Sequence, residues 1–322
     1  MILVQRCNGQ SLATHEDLKE PQRYDQLADN AMKSSKSLGA RAYLKSLQFA
    51  LDKKPHQIDR LLLKSLPPVD QRRLEAIWTS RNRGLSNGLD MYLVPQTVKQ
   101  AALLLSHDWP RATATLEWFN TVVSLLSPRS AVEMGCGAGF LLSFLRSKHP
   151  DLRIQGIDAA ENLVRIAESL CGENLIAANY LVKEPDGSYD AVLCDFGFDM
   201  ANFKPSRTPH SVSACGGIEY CPGCSDDLKL QLDEYFSAWR NWGGPEAHFA
   251  MAGRIPGFGP LKAFVLAAKD AGWALSLDQC RILTVRNTVG EVERVPALLF
   301  KAGSPTGVTA DLEAIAAFYS GV

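Results

Sequence analysis

The segment Ala131-Val-Glu133-Met-Gly135-Cys-Gly137-Ala-Gly139-Phe constrains the fold more than any other stretch of the chain. An apolar run ends next to an acidic residue, passes through three alternating glycines and opens onto a run at helical spacing. Glycines here permit left-handed backbone angles and remove side chains, so a ligand can approach the main chain. The helix that follows offers its unpaired N–H groups to that ligand. Nineteen residues after Gly139, Ile157-Asp158 places a carboxylate at the end of the next apolar run. That is the position from which an acid accepts hydrogen bonds from two ribose hydroxyls. The spacing is G-x-G-x-G, not the G-x-G-x-x-G of dinucleotide enzymes, and no Gly-Lys-Ser/Thr of a triphosphate loop follows. Glu133 would repel a diphosphate and attract an α-ammonium.

The pattern on either side of Pro128 differs. From about Tyr24 to Ser127 apolar residues recur at helical spacing, as in Leu44, Leu47, Leu51 and Leu116, Phe119, Val123, Leu126. Prolines and glycines punctuate these groups, which predicts four to six helices and no strand. After Pro128 short apolar runs alternate with helical segments, the mark of a parallel sheet with crossover helices. Predicted strands are Ser130–Met134, Arg153–Ile157, Leu175–Asn179, Asp190–Asp195, His248–Ala252, Arg281–Val285 and Pro296–Lys301. The last two are joined by the polar stretch Arg286 to Arg294, which suits a hairpin, so one of them should run antiparallel. Helices are predicted over Phe140–Lys148, Glu161–Leu170, Asp226–Trp242, Pro260–Ala271 and Ala310–Tyr319.

Glu133-x-Gly135-x-Gly137-x-Gly139 followed by Asp158 resembles the first two motifs of class I S-adenosylmethionine-dependent methyltransferases. The resemblance covers roughly residues 112–303, about three-fifths of the chain. It implies an α/β fold with a Rossmann-like seven-stranded, mostly parallel sheet containing one antiparallel strand, plus an N-terminal helical domain. It also implies that Glu133, Gly135, Gly137, Gly139 and Asp158 bind S-adenosylmethionine. Asn179 stands where the family often has an acid near the adenine. Tyr189-Asp190-Ala-Val-Leu-Cys-Asp195 is similar to the family's fourth strand, whose end faces the methyl acceptor, and Asp195 is therefore the first candidate base. Asp195-Phe-Gly-Phe198 faintly resembles the D-P-P-Y motif of amino-group methyltransferases, without either proline. His210 is a second candidate; Asp199, Glu219 and His248 are further ones.

Residues 196–225 lack periodicity, and so long a loop inside a compact domain is usually functional or disordered. Cys221-Pro-Gly-Cys224 has the spacing with which two thiolates chelate one tetrahedral ion. Cys215 and His210 would complete a zinc set, with free thiols or a redox pair as the alternatives. Of the other cysteines, Cys194 and Cys280 lie in apolar runs and are expected in the core.

Residues 1–100 carry 16 lysines and arginines against 10 acids, whereas the remainder carries 18 against 25. The near-neutral total argues against a chain that coats nucleic acid, and basic helix faces in the first part are read as solvated. Neither a secretory leader nor an apolar run long enough to span a membrane is present, so a cytoplasmic protein is expected. The division expected is an N-terminal helical domain, residues 1–111, that covers the site, forms a homodimer or binds substrate, and a methyltransferase domain, residues 112–322, with the cysteine-containing insertion at about 196–225. The leading function is methyl transfer to a small-molecule acceptor. An RNA or protein methyltransferase using the basic helices, an NAD-dependent Rossmann oxidoreductase and a non-catalytic binding protein stay open at this point.

Overall fold

Strand β1 (Ser130–Met134) is buried at every residue and lies inside the sheet, with a strand on either side. A run buried on both faces is what a parallel strand covered by helices requires. The computed structural model describes residues 39–85, 89–198, 222–255, 257–303 and 312–320. Helices α1 (Ala40–Ser46), α2 (Pro55–Ser65), α3 (Pro68–Asn82), α4 (Val98–Leu105) and α5 (Trp109–Leu126) precede β1. Then follow α6 (Phe140–Lys148), β2 (Arg153–Asp158), α7 (Glu161–Cys171), β3 (Ile176–Ala177), β4 (Tyr189–Asp195) and α8 (Pro222–Trp242). The chain continues with β5 (Gly243–Ala252), α9 (Phe258–Asp270), β6 (Trp273–Leu275), β7 (Arg281–Arg286), β8 (Val292–Ala302) and α10 (Leu312–Ser320).

The strands are ordered β3-β2-β1-β4-β5-β8-β6, with β7 also paired to β8. The first five are parallel, and β8 runs against β5, β6 and β7. One reversed strand in a Rossmann-like sheet is as expected, but eight strands are described rather than seven. The additional strand, β6, has three residues, too few to show a period of two in the sequence. It and β7 share one edge of β8: Leu275 pairs with Phe300, and Arg281 with Ala297. The β7–β8 hairpin therefore extends past the C-terminal end of β5, where Ala252 pairs with Ala297.

The two faces of the sheet bury different side chains. On one, Ala131, Ala191, Leu193, Ala250, Ala252 and Ala297 pack with Tyr43 and Leu44 of α1, Phe119 and Val123 of α5, and Phe144 of α6. The small strand residues let three helices approach closely. On the other face Phe249 and Phe300 meet Phe236 and Trp239 of α8 and Phe264 of α9, with ring centroids 4.6 Å apart at Phe236–Phe264 and 4.7 Å at Trp239–Phe249. Cys194 and Cys280 are buried in this second core, as expected.

The division expected at 111/112 falls inside the first turn of α5. Helices α1 and α5 share the core of the sheet, whereas α2, α3 and α4 build a cluster of their own from Ile58, Leu62, Leu66, Leu74, Leu103 and Leu104. Tyr43 Oη donates to the Phe140 carbonyl at 3.0 Å, tying α1 to the start of α6. Among the described residues no helix is long and apolar enough to cross a membrane.

Candidate active site

The turn from β1 to α6 uses its three glycines for two purposes. All three are left-handed, with φ of 74° at Gly135, 51° at Gly137 and 75° at Gly139. A Cβ at Gly135 would lie 2.5 Å from the Cα of Gly197, and one at Gly139 would lie 2.7 Å from the Cβ of Ala167. These two are required by packing. A Cβ at Gly137 would meet nothing within 4 Å, so this glycine alone faces open space. The Gly135 and Cys136 N–H groups donate to the Ile157 carbonyl at 2.8 and 3.1 Å, which locks the turn onto the end of β2.

Asp158 ends β2, and its two oxygens accept from Gly137 N at 2.9 Å and Ala160 N at 2.8 Å. Burial raises its pKa, and these two backbone donors act against that. A carboxylate oxygen has more than one lone pair, so Asp158 can hold the glycine turn and still accept from vicinal hydroxyls. Glu133, on β1, is 2% exposed. Its Oε2 has no partner among the described residues. Burial pushes its pKa well above the ordinary carboxyl range, and the carboxyls of Asp195 and Asp158 push it further. A buried acceptor without a donor is costly, and an ammonium group would supply both the donor and the neutralising charge. The open cradle at Gly137, the acid beside it and the orphaned Glu133 oxygen together fit S-adenosylmethionine. Asn179 is exposed after β3, where its Oδ1 accepts from Leu181 N at 3.0 Å.

Asp195 ends β4 on the same edge of the sheet. Thr115 Oγ1 donates to its Oδ2 at 3.2 Å, and its Oδ1 has no partner among the described residues. Burial pushes its pKa up to about 6, against the pull of the Arg111 guanidinium and the Thr115 hydroxyl. The next residue, Phe196, is left-handed with φ of 55°, rare for an aromatic residue and a store of strain at functional sites. Proline is locked near −65°, so the backbone here follows a path closed to the proline of a D-P-P-Y motif. Arg111 lies 4.0 Å and Arg254 6.0 Å over the Phe196 ring. Both are paired: Arg111 with Asp108 at 2.7 Å and Glu293 at 3.3 Å, Arg254 with Glu293 at 3.0 Å.

The structure thus brings Glu133, Gly137, Asp158 and Asp195 to one edge. His248 does not join them. It stands on β5 beside Ala191, four residues before the Ala252–Asp195 pair, about 13 Å away at strand spacing. Asp199, His210, Cys215, Glu219 and Cys221 lie outside the described residues, and Cys224 lies in the first turn of α8. Among the described residues no group of three or more His, Cys, Asp or Glu is placed to hold a metal. Thr115, Arg111, Arg254 and Glu293 carry no motif and were invisible to sequence reasoning. Gly197 could have been suspected, since a glycine two residues past a strand end can mark a close approach of backbone.

Residues 132–208 match the family described as a methyltransferase domain. The matched stretch contains Glu133, the glycine turn, Asp158 and Asp195, and makes up about a quarter of the chain. Over 96 residues the chain is 30% identical to a demethylmenaquinone methyltransferase of Thermotoga maritima, covering 28% of this chain and 41% of that protein. Over 113 residues it is 30% identical to a trans-aconitate 2-methyltransferase of Rhodopseudomonas palustris, covering 35% and 43%. The chain thus spans under half the length of these curated relatives. Among solved structures, an N-methyltransferase from Bradyrhizobium japonicum overlaps 60% of this chain and 96% of its own, at 11% identity and a TM-score of 0.42.

Proposed function

We propose that the protein is a methyltransferase that moves the methyl group of S-adenosylmethionine to a small-molecule acceptor. The observation that carries the reading is the meeting of the Gly137–Asp158 cradle and the Asp195 carboxyl at the C-terminal edge of one sheet. When bound, S-adenosylmethionine supplies an activated methyl on a sulfonium. Glu133 and Asp158 would hold the amino acid and ribose ends of that donor. The protein's part in an in-line displacement is mostly placement of donor and acceptor. Asp195, with a pKa near 6, is poised to take a proton from an acceptor hydroxyl or ammonium at neutral pH. The small-acceptor reading is supported by the relatives, whose names specify demethylmenaquinone and trans-aconitate.

Isothermal titration with S-adenosylhomocysteine tests the donor site, with NAD as the competing ligand. The wild-type chain should bind the former and not the latter, and Asp158→Ala should lose at least a hundredfold in affinity. Wild-type affinity in Asp158→Ala would overturn the placement of the donor. Transfer of labelled methyl to a panel of small hydroxyl and amine metabolites, tRNA and peptides then tests the acceptor class. Transfer to tRNA or peptide alone would overturn it. With the true acceptor, the rate should fall about tenfold per pH unit below about pH 6, because protonated Asp195 cannot accept the proton.

A further inference from the structure

Helix α5 lies outside the glycine-turn motif, yet one of its faces meets the carboxyl at the end of β4. Arg111 and Thr115 are four residues apart and so project from the same side of the helix. Thr115 is 1% exposed, with Oγ1 3.2 Å from Asp195 Oδ2 and 3.3 Å from the Ala112 carbonyl. A hydroxyl has one proton to give, and an ionised carboxylate is the stronger acceptor. The Arg111 guanidinium, 11% exposed, covers the ring of Phe196, the residue that follows Asp195. Asp108 and Glu293 hold that guanidinium in place, and the Phe196 N–H donates to the Ala252 carbonyl at 2.9 Å.

We propose that Thr115 and Arg111 are positioning residues for Asp195, so that the N-terminal helices complete the acceptor side of the site as well as covering the sheet. The proposal rests on the reading of Asp195 as the acceptor-side base. Thr115 orients one carboxylate oxygen, and Arg111 fixes the left-handed turn that aims the residue. Both also favour the ionised carboxylate. The opposing neighbours are Glu133 on β1 and Cys194 beside it on β4. Arg254 after β5 is the second cation across Phe196, and Asp108 and Glu293 balance the two guanidiniums.

Purely structural roles for Thr115 and Arg111 would alter stability without moving the proton equilibrium of Asp195. Thermal unfolding of the full chain between pH 4 and 8 separates the two cases. Wild type, Thr115→Val, Thr115→Ser and Arg111→Met are each compared with the same protein carrying Asp195→Asn. Within each pair the difference in Tm reports ionisation of Asp195, and the pH at which it levels off marks its titration in the folded chain. Levelling near pH 6 is expected for wild type and Thr115→Ser, and about one pH unit higher for Thr115→Val and Arg111→Met. Identical profiles for wild type and Thr115→Val would overturn the proposal, as would a wild-type pair with no pH-dependent difference. Thr115→Val is close in shape to the native residue and keeps the test decisive if Arg111→Met fails to fold. Titration of Thr115→Val with S-adenosylhomocysteine should give wild-type affinity. A wild-type chain that shows the Asp195 titration but binds no S-adenosylhomocysteine would overturn the methyltransferase reading alone.

Discussion

At Gly135 and Gly139 the missing side chain is a packing requirement, whereas at Gly137 it leaves room for a ligand. Alanine at any of the three meets the left-handed φ, at about 1 kcal/mol. Alanine at 135 or 139 also meets Gly197 or Ala167 and should cost about 2–4 kcal/mol in all. Urea unfolding should therefore show Gly135→Ala and Gly139→Ala strongly destabilised and Gly137→Ala mildly so. Titration with S-adenosylhomocysteine should show Gly137→Ala losing affinity out of proportion to stability. Equal losses of stability at the three positions would contradict this division. Asp195 gives a second prediction at this scale. Its folded pKa, about 6, lies above its ordinary value of 3.8. The folded chain therefore binds more protons than the unfolded chain between these values, and stability falls as pH rises through that window. Asp195→Asn, which cannot ionise, should match wild type near pH 4 and exceed it by about 3 kcal/mol above pH 7. Chemical denaturation at the two pH values checks this. The glycines and Asp158 were legible because their spacing is local in the chain. Thr115 was not, because its contact with Asp195 joins residues 80 apart through the tertiary fold.

The ends of β1 and β4 are held in contact. A Cβ on Gly197 would lie 2.0 Å from the Met134 carbonyl oxygen, so the turn after β4 is pressed against the turn after β1. This contact sets the Asp195 carboxyl beside the glycine cradle. Gly197→Ala must push the two turns apart, and it should cost about 3 kcal/mol or more while weakening both donor and acceptor binding. Thermal denaturation and S-adenosylhomocysteine titration of the variant check both effects, and a neutral result would show the contact to be loose. Element type was mostly legible in the sequence: five of the seven predicted strands begin and end within two residues of their observed bounds. Three lengths were not, and β5 begins at Gly243, five residues before the predicted His248. β3 keeps only Ile176–Ala177 of the predicted Leu175–Asn179, because Asn179 leaves the ladder to form the following turn. β8 starts four residues before the predicted Pro296, because Val292 to Val295 pair with β7 although half of them are polar.

Side chains from before residue 112 share a core with the sheet. Tyr43, Leu44 and Leu47 of the first described helix and its turn are buried against the same face as Phe144 and Leu145. Arg111 reaches Glu293 on the far hairpin, and the Thr288 hydroxyl donates to the His107 carbonyl at 3.0 Å. A chain beginning at residue 112 would therefore expose the face that α1 covers and cut the first turn from α5. It should give no cooperative unfolding transition by circular dichroism, whereas the full chain should give one. Cooperative unfolding of the shortened chain would restore the division at 111/112.

The sequence by itself determined the α/β class, the reversed strand and the glycine turn with its strand-end acid, because glycine spacing and strand alternation are local patterns read along the backbone. Only the tertiary structure decided which glycine faces open space, how the carboxyl of Asp195 is held, and that α5 packs against it. Those features depend on the distance between segments far apart in the chain, and such distances are set by how small and large side chains pack across the two faces of the sheet.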